Sequence, residues 1–174
     1  MEIKVTSYGR IDQGAKHRMG IIAWYLAEMA GQGKTVQLVH PSVDAARAIE
    51  AELDEPVLSA YEFNYRNIAG DIICVIDGDI IDDRTLRRLE YLRKDVCLLV
   101  PEDALPKMRS GASVTEVLTD VHAERFYVPA LTDDEEQPKT FGCHHFGPTC
   151  GNCDSLVADW KAKRRERALA PTNA

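Results

Sequence analysis

Three cysteines and two histidines fall within eleven residues near the C-terminal end of the chain: Cys143, His144, His145, Cys150 and Cys153. Tetrahedral zinc needs four soft or borderline ligands converging at about 2.0–2.3 Å, and a C-x2-C spacing lets one tight turn supply two of them. Cys150 and Cys153 have that spacing, with the turn-forming pair Gly151-Asn152 between them. Cys143 is then the third ligand, and His144 or His145 the fourth, since adjacent histidines do not easily both bind. The expectation is a closed structural zinc site. A reduced cysteine cluster, a redox pair, or an open catalytic zinc held by the cysteines alone are the other readings.

A second set of residues could hold an anion. The loop SYGRIDQGAKHR lies between an expected strand and the start of an expected helix, where free backbone N–H groups and the helix dipole favour negative charge. Ser7, Gly9, Arg10, Asp12, Lys16 and Arg18 are its phosphate-binding candidates, and His17 adds a cationic group at the same place. A solvated basic turn is the competing reading. The acidic run Asp77, Asp79, Asp82 and Asp83 could hold a divalent cation with substrate phosphates, but a strand-ending turn followed by a helix N-cap is the preferred account. AGQGKT (30–35) imitates a P-loop, yet Glu28 occupies the place of its first glycine and a helix precedes it where a strand should. It reads as a helix C-cap followed by a strand.

The elements that must position these groups follow from hydrophobic periodicity. EIKVTS (2–7) alternates as a strand. From Arg18 to Ala30, Met19, Ile22, Leu26 and Met29 share one helix face with Tyr25 beside them, and Gly31 and Gly33 end it. KTVQLVHP (34–41) is a second strand. In the following helix Ser42 is the N-cap, and Val43, Ala46, Ile49 and Leu53 form the stripe. PVLSAYEF (56–63) reads as a weaker third strand. DIICVID (71–77) and DVCLLVP (95–101) are continuous apolar runs, as in strands buried on both faces; Cys74 and Cys97 inside them are expected to be small buried hydrophobes. Between these runs lies a helix capped by Asp82 or Asp83, with Leu86, Leu89 and Leu92 inward. Strand and helix alternate with short connections. The pattern predicts an α/β fold: an open, mostly parallel sheet with helices on both faces. Such sheets bind ligands outside the C-terminal ends of their strands, here the loops Gly9 to Arg18, Gly78 to Asp83, and Glu102-Asp103.

The 174 residues suit a single domain: a sheet core over 1–100, an irregular segment over 101–140, and a knot with a basic helix over 141–174. Composition is that of a soluble globular protein, and the absence of a long apolar run or an apolar leader predicts a cytoplasmic protein without membrane contact. A net charge of −7 argues against a surface that grips nucleic acid throughout. KAKRRER (161–167) is the exception, with five basic residues and one acid; it can touch a phosphate backbone or an acidic partner, although a solvated helix face is preferred.

The stretch TFGCHHFGPTCGNCDSLVADWKAKRR resembles the zinc knot of the 7-cyano-7-deazaguanine synthases, through Thr140, Cys143, Cys150, Gly151, Cys153 and Ser155. The fourth cysteine of that family would fall at Leu156, and His144 or His145 is the substitute. These synthases belong to the N-type ATP pyrophosphatases (PP-loop proteins), whose first strand leads into an S-G-G-x-D-S loop. Gly9, Ile11 and Asp12 fit that loop, whereas Tyr8, Arg10 and Gln13 depart from it; a gapped reading takes Ser7 as the first serine. PEDALPKMRSG (101–111) loosely resembles a proline and lysine segment that precedes the family's knot.

The resemblance implies an adenine nucleotide alpha hydrolase-like sheet and a ligase of queuosine-type biosynthesis. It would activate a deazapurine or related carboxylate with ATP and magnesium and amidate it with ammonia. Gly9 and Asp12 would approach phosphate and its metal, while Cys143, Cys150 and Cys153 would bind zinc. Two alternatives stand beside it. One is a catalytically silent, zinc-containing relative acting as a homodimer, a partner subunit or a module for a nucleotide or nucleobase. The other is the N-terminal half of a glycosyltransferase, which would need a second nucleotide-binding domain from another chain.

Overall fold

The computed structural model describes residues 3–7, 15–101 and 151–169. Among these residues five strands, β1 (Ile3–Ser7), β2 (Val36–His40), β3 (Val57–Ser59), β4 (Ile72–Ile76) and β5 (Asp95–Val100), form one sheet in the order β1-β5-β4-β2-β3. All four pairings are parallel. The helices are α1 (Ala15–Gly31), α2 (Val43–Leu53), α3 (Ala60–Tyr65), α4 (Asp83–Leu92) and α5 (Gly151–Leu169). The α/β class, the parallel sheet and the helices on both faces are as the sequence predicts.

Strand residues alternate between two cores, because successive side chains point to opposite faces. On one face Leu38, Cys74, Ile76, Cys97 and Leu99 meet Ile22 and Leu26 of α1, Ile49 and Leu53 of α2, and Val157 and Trp160 of α5. On the other face Val39, Ile73, Val75, Val96 and Leu98 meet Phe63 of α3 and Leu86 and Leu89 of α4. Every residue of β4 is buried, which accounts for the uninterrupted apolar run.

Cys74 and Cys97 lie opposite each other on β4 and β5 as buried thiols outside any disulfide. Burial pushes the Cys74 thiol well above its ordinary value, and burial followed by the neighbouring Cys97 and Cys74 raises the Tyr25 phenol in the same way. These groups are core, as expected.

Local chemistry sets the helix ends. Ser42 caps α2 by accepting from the Ala45 amide at 3.5 Å, and Asp82 caps α4 by accepting from the Thr85 amide at 2.7 Å. AGQGKT does close α1: Lys34 N–H donates to Met29 O and Gly33 N–H to Ala30 O, both at 3.0 Å, around Gly33 at φ 72°. This is a Schellman ending, which needs a left-handed residue where glycine stands.

Three expectations need revision. The third strand is only three residues long, and AYEF is the start of α3. The reason is a capping box: Ser59 accepts from the Glu62 amide at 3.2 Å while the Glu62 carboxylate accepts from the Ser59 amide at 2.9 Å. Val43, expected in the α2 stripe, is 53% exposed because it sits at the first helical position, ahead of the turn that meets the sheet. Finally, α5 begins at Gly151, so Gly151, Asn152 and Cys153 form its first turn and not a free tight turn. No helix among the described residues is long and apolar enough to cross a membrane.

Candidate functional site

The strand order places the site. After β2 the chain leaves through α2, on the face shared with α1 and α5; after β4 it leaves through the turn at Gly78–Ile80 and α4, on the opposite face. β2 and β4 are neighbours, so their outgoing connections diverge and open a crevice at their C-terminal ends. Ligands of open α/β sheets bind at such a switch point. In the doubly-wound order 3-2-1-4-5-6 the first strand lies in the middle of the sheet. Here it lies at one end of the described strand order, beside β5.

Three side chains converge on this crevice. His40 is the last residue of β2, Asp77 follows the last residue of β4, and Arg18 stands in the first turn of α1. Asp77 Oδ2 receives Arg18 Nη1 at 3.0 Å and lies 2.8 Å from His40 Nε2. His40 Nδ1 accepts the Ser42 amide at 2.9 Å. With Nδ1 occupied as an acceptor, the ring proton sits on Nε2 and is donated to Asp77. The side chains of His40, Asp77 and Arg18 retain only 3, 15 and 23% exposure, so the charge pair is partly withdrawn from water and its hydrogen bonds are of the stronger, charge-assisted kind. Arg18 Nε is buried and has no hydrogen-bond partner among the described residues.

The backbone around Asp77 is shaped for this role. Asp77 has φ 53° and ψ 45°, a left-handed conformation that aspartate tolerates better than most residues. Gly78 then passes so close to β5 that a Cβ would meet Leu98 Cδ2 at 3.0 Å and Leu98 Cβ at 3.1 Å. The turn directs the Asp77 carboxylate back across the strand ends.

Of the anion-loop candidates, Arg18 reaches the crevice. Ser7 closes β1 in register with Val100, and Lys16 and His17 lie in the first turn of α1. Gly9, Arg10 and Asp12 lie outside the described residues, as do Glu102 and Asp103. The acidic run divides as the preferred account has it: Asp82 is the α4 cap and Asp83 the first helical residue, while Asp77 belongs to the crevice. Hydrogen bonds from the Thr85 hydroxyl and amide hold the Asp82 carboxyl below its ordinary value. Of the zinc candidates, Cys153 lies in the first turn of α5, and Cys143, His144, His145 and Cys150 lie outside the described residues. Among the described residues no group of three or more His, Cys, Asp or Glu side chains could hold a metal ion.

Sequence reasoning missed His40. It considered the loops after the first, fourth and fifth strands but not the end of the second, where a histidine directly precedes Pro41-Ser42. The same rule of strand C-termini, applied to β2, would have found it.

The basic segment of α5 is partly used internally. Arg164 Nη1 pairs with Glu55 at 2.6 Å, and the Arg167 guanidinium stands 4.7 Å from the centre of the Trp160 ring. With Leu26 and Lys34 these residues line a hollow of about 250 Å3 at the N-terminal end of β2, opposite the crevice.

The chain matches no protein-family model, and a search of the curated proteins returned no match.

Proposed function

We propose that the crevice between the ends of β2 and β4 binds a phosphate-bearing small molecule, and that the ligand is ATP with magnesium. Support for a ligand here comes from one observation above all: Arg18, carried on the helix that follows β1, reaches Asp77 at the end of β4 and brings the basic start of α1 to the switch point. Arg18 Nε, buried and without a hydrogen-bond partner among the described residues, is a donor that an anionic oxygen reaching it would satisfy. The choice of ATP rests on the sequence resemblance to N-type ATP pyrophosphatases at Ser7, Gly9 and Asp12. On this reading the protein is a diverged relative of the 7-cyano-7-deazaguanine synthases, activating a deazapurine or similar carboxylate for amidation. Arg18 would steady the phosphates, and charge placement would supply most of the catalysis. Zinc bound by Cys143, Cys150, Cys153 and His144 or His145 would hold the start of α5 and supply no chemistry to the substrate.

A second reading has its own observation. Both nitrogens of His40 are engaged and Asp77 is ion-paired, an arrangement that holds geometry and offers a substrate no unoccupied ring nitrogen. Together with Tyr8, Arg10 and Gln13 in the first loop, this favours a zinc-containing nucleotide-binding subunit without catalysis of its own.

Elemental analysis of the purified protein, followed by calorimetric titration with ATP and magnesium, separates these readings. Zinc near one equivalent, ATP binding, and loss of that binding in Arg18→Ala support the proposal. ATP turnover with a carboxylate acceptor and ammonia selects the ligase, while binding without turnover selects the subunit. No binding at millimolar ATP removes the nucleotide, and absence of zinc removes the family reading.

A further inference from the structure

We infer that the outer surface of α3 and α4 binds single-stranded nucleic acid, independently of the crevice. Three of the large hydrophobic side chains most open to solvent lie on these two helices: Tyr61, Tyr65 and Tyr91, at 71, 59 and 77% exposure. They are joined to arginines by ring contacts. Tyr61 and Tyr65 lie 4.9 Å apart between centroids, the Arg84 guanidinium stands 4.7 Å from the Tyr65 ring, and Arg88 stands 5.8 Å from Tyr91. Arg84 and Arg88 are one helical turn apart on α4, so phenol and guanidinium planes follow one another across both helices.

Charge points to the same partner. Residues 60–66 and 83–94 carry six basic and three acidic side chains, in a chain whose net charge is −7. The acids are in part already engaged: Glu62 accepts from the Ser59 amide and pairs with Arg47 and with Arg66. Exposed Arg84 and Arg87 therefore present positive charge beside the tyrosines.

Flat aromatic and guanidinium surfaces receive unstacked bases, while neighbouring cations take the phosphates; this is how sequence-tolerant single-strand sites are built. An acidic peptide would use the arginines but would gain little from exposed phenols. A duplex hides its base faces and could use only the charge.

The test is fluorescence anisotropy of a labelled single-stranded 12-mer of uridine with the full chain, at two salt concentrations. Tyr65→Ala and Tyr91→Ala should each weaken binding about tenfold, the scale of losing one stacked base. Tyr65→Phe should bind like the parent, because it keeps the ring. Arg84→Ala should weaken binding and flatten its salt dependence. A duplex of the same length should bind more weakly. The inference is overturned if the oligonucleotide does not bind, if the tyrosine variants bind like the parent, or if duplex or polyglutamate competes as well as the single strand. All four substitutions are on the surface, and a melting curve for each checks that the fold is kept.

Discussion

His40 donates from Nε2 to Asp77 across 2.8 Å, joining the end of β2 to the end of β4 at the point where the connections of the sheet part. The same carboxylate oxygen holds Arg18 of α1, so one atom ties three elements together. Asp77→Asn keeps the shape and the tolerance for a left-handed backbone while removing the charge. It should cost about 1–2 kcal/mol, the range for charged hydrogen bonds reduced for the partial exposure of Arg18. That corresponds to a fall of about 2–8 °C in Tm for a chain of this size. Asp77→Ala should fall further, since alanine is strained at φ 53°. Melting curves for the two variants that overlay the parent would show that the cluster contributes nothing to stability.

Stability should decline in alkali. Cys74 and Tyr25 hold their protons in the folded protein well above their ordinary values of 9.0 and 10.0, because burial penalises the charged forms. The unfolded chain releases those protons from about pH 9 upward, so above that pH it binds fewer protons than the native state and is favoured as pH rises. Denaturant midpoints measured from pH 7 to 10.5 should be level at first and then fall. Replacing Cys74 with alanine should make the fall shallower while lowering the plateau; an unchanged slope would remove the thiol from the account.

Gly70 should resist replacement. It precedes β4, and an alanine Cβ there would lie 2.8 Å from the backbone nitrogen of Gln37 at the neighbouring strand. Backbone cannot yield as a side-chain tip can, so Gly70→Ala should cost about 1–3 kcal/mol. Gly31→Ala meets no atom within 4 Å and serves as the control. Equal urea midpoints for the two variants would contradict the close approach.

Metal and helix α5 should be linked. If Cys150 and Cys153 bind zinc at the start of α5, Cys150→Ser and Cys153→Ser should each release the metal and lower the Tm. A chelator should do the same to the parent, since a metal bound only by the native state adds its binding free energy to folding. A parent that melts identically with and without chelator would end the zinc proposal.

Much of this architecture could be read from residues alone, and the exceptions share a cause. The continuous apolar run of β4, the Ser42 and Asp82 caps and the glycine ending of α1 are local signals, and each appears where its chemistry predicts. The start of α3 is a local signal as well, because Ser59 and Glu62 already spell a capping box. The crevice has no such signal. Arg18 and Asp77 were singled out for different reasons, and His40 for none, since their meeting depends on which strands are neighbours. Strand order is a property of the whole sheet, and hydrophobic periodicity does not encode it.

That order also governs how the sheet can assemble. Every strand pairing among the described residues is parallel, so no hairpin joins these strands, and each must wait for a crossover to close. Among the described strands β1 waits longest: Ile3 finds its partner in Val96, and β5 is its only neighbour there. Closing so long a loop comes at an entropic cost that local contacts must first offset. Among the described strands β1, made before its partner β5, is therefore the last to be seated. Until it is, the edge of β5 stands open to any other extended chain.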